Sequence, residues 1–472
     1  MIAFPAYQLP PGFAPERTYE HPEAGVNSGV DGNRLRIADF SAGRADDLLR
    51  SLRAAARGLR SRPVRRLVEL LGHAGERFLD DGDPLTREAK SRLPTEARLS
   101  EEMAHEVIRG MARDWTPVRL ASLLTADFPD PSVLDGFRPA PAGGRIRAVG
   151  FRLASHIGAG NVPGVGATSL LRSLLVKTPV LLKPGLGDVV LSCLLARAVA
   201  EADETLAAAV AVVYWPGGVG SALEEAALRA AEQVVAYGGP DALVRLRERV
   251  PAATPFLVYP HRMSMGAVGR EALGTKAGAL LVAEEAARAV AMFDQRGCVS
   301  PQVVWVEDGG SVTPRAWARA LAKALAELER TLPQGPPDPA IASRIHQLRG
   351  TAELRQASGT EDELITEDGA RWTVLFDTDP GPFSPCLGRT VRVRPLSSLE
   401  RLEDILPAFQ PLLQTFAVAG GARTVDRIAE GLVASGVTRI TTFVDQPWPP
   451  PWWRHDGTGP LLSLVRWTGI ES

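Results

Sequence analysis

The sequence predicts an α/β protein: a doubly wound parallel nucleotide-binding sheet followed by a second α/β domain. Three observations carry this expectation. First, short apolar runs at residues 179–183, 210–214, 233–237 and 255–259 alternate with helical stretches at 168–175, 189–202, 221–232 and 240–249. Near-continuous apolar strands separated by helices are what a parallel sheet covered on both faces requires. Second, three of these strands end in glycine-bearing turns: Lys183-Pro184-Gly185, Pro216-Gly217-Gly218-Val219-Gly220 and Tyr237-Gly238-Gly239. Ligands of such sheets bind beyond the carboxyl ends of the strands, so these turns look like a nucleotide crevice. Third, strand and helix patterns resume later, at 302–307, 314–331, 372–377, 390–396, 398–409 and 439–444.

The remaining stretches fit around this frame. A length of 472 residues suits two or three domains. Residues 1–44 are rich in Pro, Gly and turns and read as an extended surface arm. Residues 45–59 form an amphipathic helix, Pro63 opens a second, and Pro94 or Thr95 opens a third. Residues 145–151 alternate like a strand. Residues 333–339 are linker-like. Residues 446–453, Gln-Pro-Trp-Pro-Pro-Pro-Trp-Trp, exclude regular structure and suit either a subunit interface or a surface clamp. The expected domains are an arm (1–44), a helical and nucleotide-binding region (45–263), a catalytic domain (264–440) and a C-terminal segment (441–472) offering an oligomer contact.

Composition narrows the function classes. The net charge is −2, from 53 basic and 55 acidic residues, which argues against nucleic acid as a partner. Three cysteines without paired spacing argue against a disulfide framework or a metal cluster and suit a reducing cytoplasm. Residues 1–16 lack the pattern of a signal peptide, and no apolar run reaches membrane-spanning length.

Of the cysteines, Cys298 alone lies between a turn glycine and a Ser-Pro, in Gln295-Arg296-Gly297-Cys298-Val299-Ser300-Pro301. A helical pattern precedes it and a strand pattern follows. A cysteine at such a turn projects into a cleft, where its thiolate acts as a nucleophile; an isolated cysteine is otherwise most often a small buried hydrophobe. Asn161, in Gly158-Ala159-Gly160-Asn161-Val162-Pro163, either caps the next helix, adopts a left-handed turn, or aims an amide at a developing oxyanion. Lys183 is either a solvated lysine or a ligand for ribose or phosphate. His156 and His261 are acid–base candidates, although a lone histidine is more often structural.

In this order, Asn161-Val162-Pro163, Lys183-Pro184, Gly217 to Gly220, Tyr237-Gly238-Gly239 and Gln295 to Cys298 resemble the aldehyde dehydrogenase superfamily. The similarity is greater to the LuxC-type fatty acyl-CoA reductases. It is carried by residues 158–163, by Cys298-Val299-Ser300-Pro301-Gln302, by Ser384-Pro385 with Gly388-Arg389-Thr390-Val391, and by His455-Asp456-Gly457 and Leu464-Val465-Arg466-Trp467. The resemblance implies that Cys298 attacks an acyl thioester, that Asn161 holds the oxyanion, that Gln295 orients the loop and that His261 is an acid–base candidate. It implies cofactor contacts from Gly160, Lys183, Gly217, Gly218, Gly220, Tyr237, Gly238 and Gly239. Two departures matter. Hydrolytic relatives place a water-activating glutamate where this chain reads Pro260-His261-Arg262-Met263-Ser264-Met265, and the superfamily's ribose-binding glutamate is absent from Gly381-Pro382-Phe383-Ser384-Pro385. Leu186 replaces a glutamate that in relatives repels a 2′-phosphate, so NADPH is the expected cofactor, with NADH left open. The expected activity is reduction of an acyl-CoA or acyl-carrier thioester to an aldehyde, with a homo-oligomer and an acyl-delivering protein as partners. A hydrolytic aldehyde dehydrogenase and a thioester acyltransferase stand as the alternatives.

Overall fold

The computed structural model describes residues 3–22, 34–218, 220–369 and 371–471. Its strands begin, in chain order, with β1 (Phe4–Pro5), β2 (Tyr7–Gln8), β3 (Arg17–Pro22), β4 (Arg34–Asp39), β5 (Arg138–Pro139) and β6 (Arg145–Gly150). Next come β7 (Ala154–Ile157), β8 (Val180–Lys183), β9 (Val210–Val213), β10 (Gln233–Gly238) and β11 (Phe256–Pro260). The remainder are β12 (Met263–Val268), β13 (Pro301–Glu307), β14 (Glu363–Ile365), β15 (Thr373–Phe376), β16 (Thr390–Leu396), β17 (Leu413–Ala419), β18 (Arg439–Thr441) and β19 (Val465–Ile470). The chain forms two compact units. One comprises Met1–Ala97, Ala104–Pro260 and Pro450–Ser472; the other comprises Arg98–Met103 and His261–Pro449.

The first unit is built on a sheet of order β11-β10-β7-β8-β9-β2. All pairings are parallel except that of β2 with β9. From β7 the chain steps outward through β8 and β9, then returns to place β10 on the other side of β7. The strand order therefore reverses between β7 and β10, which is where a doubly wound sheet offers its ligand crevice. The strand ends there carry Ile157, Lys183 and Gly238, as the glycine-rich turns predict.

The second unit has the order β14-β15-β16-β13-β12-β17-β18, parallel except for β14 with β15. Strand β13 is buried along its whole length. Its Val304 and Val306 join one core cluster with Trp317, while Val303 and Trp305 join another with Leu406 and Phe416. Successive side chains of a strand point to opposite faces, so this alternation is that of a central strand with a core on each side.

Several local expectations give way to tertiary structure. The described residues within 1–44 do not form a surface arm: Phe4, Leu35 and Ile37 are buried, and β2 extends the edge of the main sheet; residues 1–2 and 23–33 lie outside the described residues. Strand β6 belongs not to the parallel sheet but to an antiparallel one, β19-β6-β5, and the first parallel-paired strand of the main sheet is β7, which the apolar runs do not include. Pro94 lies inside the helix Pro84–Ala97; the next helix begins at Glu101, where Ser100 Oγ accepts the Met103 N–H at 3.1 Å. The helix expected near 398–409 is broken into three abutting helical segments, a 3₁₀ turn at 399–401, an α-helical turn at 402–405 and a 3₁₀ turn at 406–409. The units divide at 260/261 and 449/450, where the sequence suggests 263/264 and 440/441. The segment after Pro450 joins the first unit because β19 pairs with β6.

Two buried carboxylates fasten the loops of the first unit's crevice. Glu96 accepts the backbone N–H groups of Gly187, Val189 and Val190 at 3.1, 2.6 and 3.2 Å. Asp188 accepts those of Gly164 and Gly166 at 2.6 and 2.7 Å. These donors belong to the N-terminal turns of the helices Val189–Ala202 and Val165–Leu175, where unpaired N–H groups and the helix dipole favour an acceptor. Burial raises the Glu96 carboxyl to about 7 against the pull of its donors. It raises that of Asp188 to about 8, with the charge of Glu96 adding to the rise.

Carboxyls that take up protons more readily folded than unfolded favour the folded state below their unfolded values near 4, and that contribution is lost as pH rises through 7 to 8. The melting temperature is therefore expected to decline between pH 5 and pH 8, and the decline to be shallower in Glu96→Gln. Calorimetry across that range checks it; parallel pH profiles for the two proteins would count against it.

Candidate active site

In the first unit, β7 delivers Ser155, His156 and Ile157 into the turn that bears Asn161. His156 is fully buried, its Nδ1 2.8 Å from Ser169 Oγ, and desolvation pushes its pKa down to about 3, so it stays neutral. That is a structural histidine. Gly160 is glycine because the loop after β8 presses on it: a Cβ there would lie 1.7 Å from the Leu186 carbonyl oxygen. Asn161 is exposed. The helix Val165–Leu175 is N-capped by Gly164, and Asn161 is not among the residues with positive φ, so neither the capping nor the left-handed reading applies.

Lys183 is the last residue of β8, half-buried, with Nζ 5.7 Å from the centre of the Tyr214 ring. Desolvation lowers its pKa and the charge of Glu224 opposes that. Glu224 is itself buried, accepting from Trp215 Nε1 at 3.0 Å and Arg249 at 2.5 Å. Gly217, Gly218 and Gly220 have no protein atom within 4 Å of where a Cβ would stand, so space beside the run is open. Val219 lies outside the described residues. A cavity of ≈ 250 Å³ adjoins the run, lined in part by Asp39, Phe40, Trp215 and Ser221. Tyr237 stacks on Tyr259 at 4.7 Å and donates its hydroxyl to Ser169 Oγ at 3.3 Å. Gly238 ends β10, and Gly239 caps the helix Pro240–Arg249.

In the second unit, the helix Lys276–Ala291 ends against a reversal of the chain. Phe293, Asp294 and Gln295 all have left-handed φ, +56°, +49° and +62°. For residues with a Cβ this conformation costs roughly 1–2 kcal/mol apiece, so other contacts must hold it. Buried Arg389 donates to Asp294 Oδ1 from Nε and Nη2 at 3.1 and 2.9 Å, and from Nη1 to Glu329 and the Leu332 carbonyl. Asp294 Oδ2 also accepts the Gly335 N–H at 3.2 Å. Gln295 is wholly buried. Its amide donates to the carbonyls of Pro301 and Thr390, both at 2.9 Å, and accepts the Thr390 N–H at 2.7 Å. Phe293 packs edge-on against Trp448 at 5.0 Å.

The braced turn presents Cys298 just before β13. Cys298 is half-buried; Cys193 and Cys386 are buried, and burial raises both of their thiols. Ser264 of β12 donates its hydroxyl to the Cys298 carbonyl at 2.6 Å and accepts the Thr415 N–H at 3.2 Å. His261 is exposed ahead of β12. Sequence reasoning missed Glu96, Asp188 and Ser264. None carries a local motif, since their partners lie 22 to 151 residues away.

Among the described residues no helix is long and apolar enough to cross a membrane, and no group of three or more His, Cys, Asp or Glu could hold a metal ion. Removing one partner of a buried ion pair typically costs about 3–5 kcal/mol. Arg389→Met is therefore expected to lower stability by that order in urea unfolding and to abolish the ordered presentation of Cys298; an unchanged unfolding midpoint would show that the pair does not hold the turn.

Residues 59–467 match the family described as Acyl-CoA reductase (LuxC). The chain is similar to the long-chain acyl-protein thioester reductase of Aliivibrio fischeri, 24% identical over 417 residues covering 86% of this chain and 82% of the relative. It is also similar to long-chain acyl-protein thioester reductase 2 of Photobacterium leiognathi, 27% identical over 344 residues, covering 69% of this chain and 65% of the relative. Among solved structures it is similar to the NADP-dependent glyceraldehyde-3-phosphate dehydrogenase of Bacillus halodurans C-125 complexed with NADP, at 13% identity and a TM-score of 0.72, with 100% of each chain covered. An NAD-dependent aldehyde dehydrogenase from Sinorhizobium meliloti matches at 15% identity and a TM-score of 0.73, covering 99% of this chain and 94% of that one. At these identities the structural likeness bears on the fold, which is that of aldehyde dehydrogenases.

Proposed function

The chain belongs to the acyl-CoA reductase (LuxC) family, aldehyde-forming oxidoreductases that act on thioesters; on that premise we propose that Cys298 carries the acyl group and that NADPH is the reductant. The observation that supports Cys298 is its setting: of three cysteines it alone is half-exposed, in a turn whose other residues are committed to holding it. Its thiolate adds to the carbonyl carbon of the donor thioester. The tetrahedral oxyanion is held by the side-chain amide of Asn161 and the backbone N–H of Cys298, the kind of fixed donors that stabilise charge as it develops. Collapse breaks the bond to the carrier sulfur, which leaves as a thiolate, and Cys298 becomes an acyl thioester. Exchange between thiols of like basicity needs little driving force.

A bound nicotinamide cofactor supplies the hydride that takes the acyl carbon to the aldehyde level. The chain's own residues do the rest. The same donors hold the second oxyanion; its collapse breaks the carbon–sulfur bond, releases the aldehyde and restores the Cys298 thiolate. Gln295 is a positioning residue, its amide fully used within the loop. Lys183, Gly217, Gly218, Gly220, Tyr237, Gly238 and Gly239 are the proposed cofactor contacts. The open space along the glycine run and the half-buried cation at the end of β8 suit a phosphate-bearing ligand. Gly160 supports the Leu186 loop in this reading, and Leu186 leaves a 2′-phosphate unopposed. His261 is kept as an acid–base candidate on its place in the sequence alone. The donor is a long-chain acyl thioester on CoA or on a protein, as the names of the relatives suggest.

The absence of a carboxylate from Pro260 to Met265 removes the base that would activate water. General-base assistance is worth about 10²–10⁴-fold in rate, so the acyl-enzyme should outlast reduction by a wide margin. After mixing with acyl-CoA, intact mass should reveal an adduct that persists in buffer, reverses with free CoA and yields aldehyde on addition of NADPH. Cys298→Ala should form none. Release of free acid in buffer as fast as NADPH gives aldehyde would make the chain a hydrolase. Separately, Lys183→Ala should weaken NADPH binding about tenfold or more in a fluorescence titration, and NADPH should bind wild type more tightly than NADH; equal affinities throughout would remove Lys183 from the cofactor site.

A further inference from the structure

One loop of the first unit grips the Asn161 turn from both sides. It runs from Lys183, at the end of β8, to Asp188, ahead of the helix Val189–Ala202. The carbonyl of Lys183 accepts the Gly158 N–H at 2.7 Å. The middle of the loop interlocks with Gly160: a Cβ on Gly185 would lie 2.3 Å from the Gly160 nitrogen, and one on Gly187 2.4 Å from the Gly160 oxygen. The last residue reaches across with its side chain. Asp188 Oδ1 accepts the Gly164 N–H at 2.6 Å, and Oδ2 accepts the Gly166 N–H at 2.7 Å. An aspartate at this position ordinarily caps its own helix. Asp188 makes no side-chain cap there, and both of its oxygens go to the Asn161 side.

Between the Gly160 interlock and the Gly164 bond stand Asn161, Val162 and Pro163. Val162 and Pro163 are buried, and the proline ring fixes its own φ. Asn161 is the exposed member. The Asp188 clamp is itself held firmly. Its carboxyl group is 0% exposed, so bulk water does not compete for its oxygens. Its N–H donates to the Gly185 carbonyl at 3.0 Å, and Glu96 takes the N–H groups of Gly187 and Val189 on either side of it.

We propose that Asp188 is a positioning residue for thioester reduction, fixing the turn from which Asn161 donates to the oxyanion. This rests on Asn161 being that donor. An oxyanion donor works when it stands about 2.7–3.1 Å from where the charge will form, and an exposed side chain on a turn owes such precision to its backbone. Asp188 supplies it without touching substrate or cofactor. Releasing the clamp lets the turn drift while donor, nucleophile and cofactor contacts all remain in the chain.

The test is a double-mutant cycle on the rate at which acyl-CoA acylates Cys298, followed by intact mass without cofactor. Asn161→Ala should slow acylation about 10²–10³-fold, the cost of losing one oxyanion donor. Asp188→Asn keeps the size but turns an NH₂ toward one of the two N–H groups; it should slow acylation about tenfold or more, since a misplacement of about 1 Å can cost about 10²-fold. The loss should fall on the saturating rate and leave the acyl-CoA concentration for half that rate unchanged. The double variant should be no slower than Asn161→Ala, because Asp188 then has nothing to position. Losses that multiply overturn the proposal, as does unchanged acylation in Asp188→Asn. Alkylation of Cys298 by iodoacetamide, in which a carbon–sulfur bond forms and iodide leaves, builds no oxyanion and should proceed at the wild-type rate in Asp188→Asn; a parallel fall would place the damage at the nucleophile and overturn the proposal too. If Asp188→Asn does not fold, Gly166→Ala takes its place in the cycle, since its Cβ would stand 2.7 Å from Asp188 Oδ2 and displace the carboxyl. Wild-type acylation in Asn161→Ala is a separate result: it removes Asn161 from the oxyanion site, and the role of Asp188 with it.

Discussion

The turn that presents Cys298 depends on one buried ion pair, Arg389 with Asp294. Three consecutive side-chain-bearing residues are held left-handed between the end of a helix and the start of β13. Left alone, that backbone would relax toward the right-handed or extended regions. The guanidinium meets a carboxylate, a second acid and a main-chain carbonyl, so its donors are satisfied without water. Gln295 adds three hydrogen bonds in the same dry surroundings, where each is stronger than at a surface. The cysteine that follows is presented by a turn specified from 95 residues further along the chain.

That separation explains what could and could not be read from the sequence. The parallel strands β8 to β11 and their helices were legible because apolar periodicity is a local signal. Cys298, Asn161 and Lys183 stood out as candidates because residue type and neighbouring turn residues marked them. Strand β12 was not: Met-Ser-Met-Gly-Ala-Val is buried on both faces, so it lacks alternation, and Gly266 is required by the Phe443 ring, 2.5 Å from where its Cβ would stand. Strand β7 was hidden by the glycines that follow it. The first residues looked like an arm because Pro and Gly dominate there, yet a two-residue pairing with β9 suffices to bring them into the sheet. Glu96 and Asp188 gave no sign at all, since an acid's partners are unseen when they are backbone N–H groups of distant helix ends.

The two units use buried charge differently. The first sets carboxyl groups against helix N-termini, where backbone N–H groups satisfy their oxygens while burial still disfavours their ionised form. The second sets guanidinium groups against carboxylates and main-chain carbonyls. The same desolvation distinguishes the cysteines: Cys193 and Cys386 lie in the interior, where burial raises both thiols and disfavours the anionic form.

The division of the chain has a consequence for the order in which it takes shape on the ribosome. Residues 98–103 and 261–449 have all been synthesised while β6 still lacks β19, so the inserted unit can close first. Its host cannot. Strand β6 waits for residues 465–470, Asp127 waits to accept the N–H groups of Leu461 and Leu462, and the Gln233 amide waits for the Ser463 carbonyl. Domains generally fold as units in the order they emerge. Here the earliest segments to leave the tunnel are among the last to be completed, and until then they are exposed to chaperones and proteases.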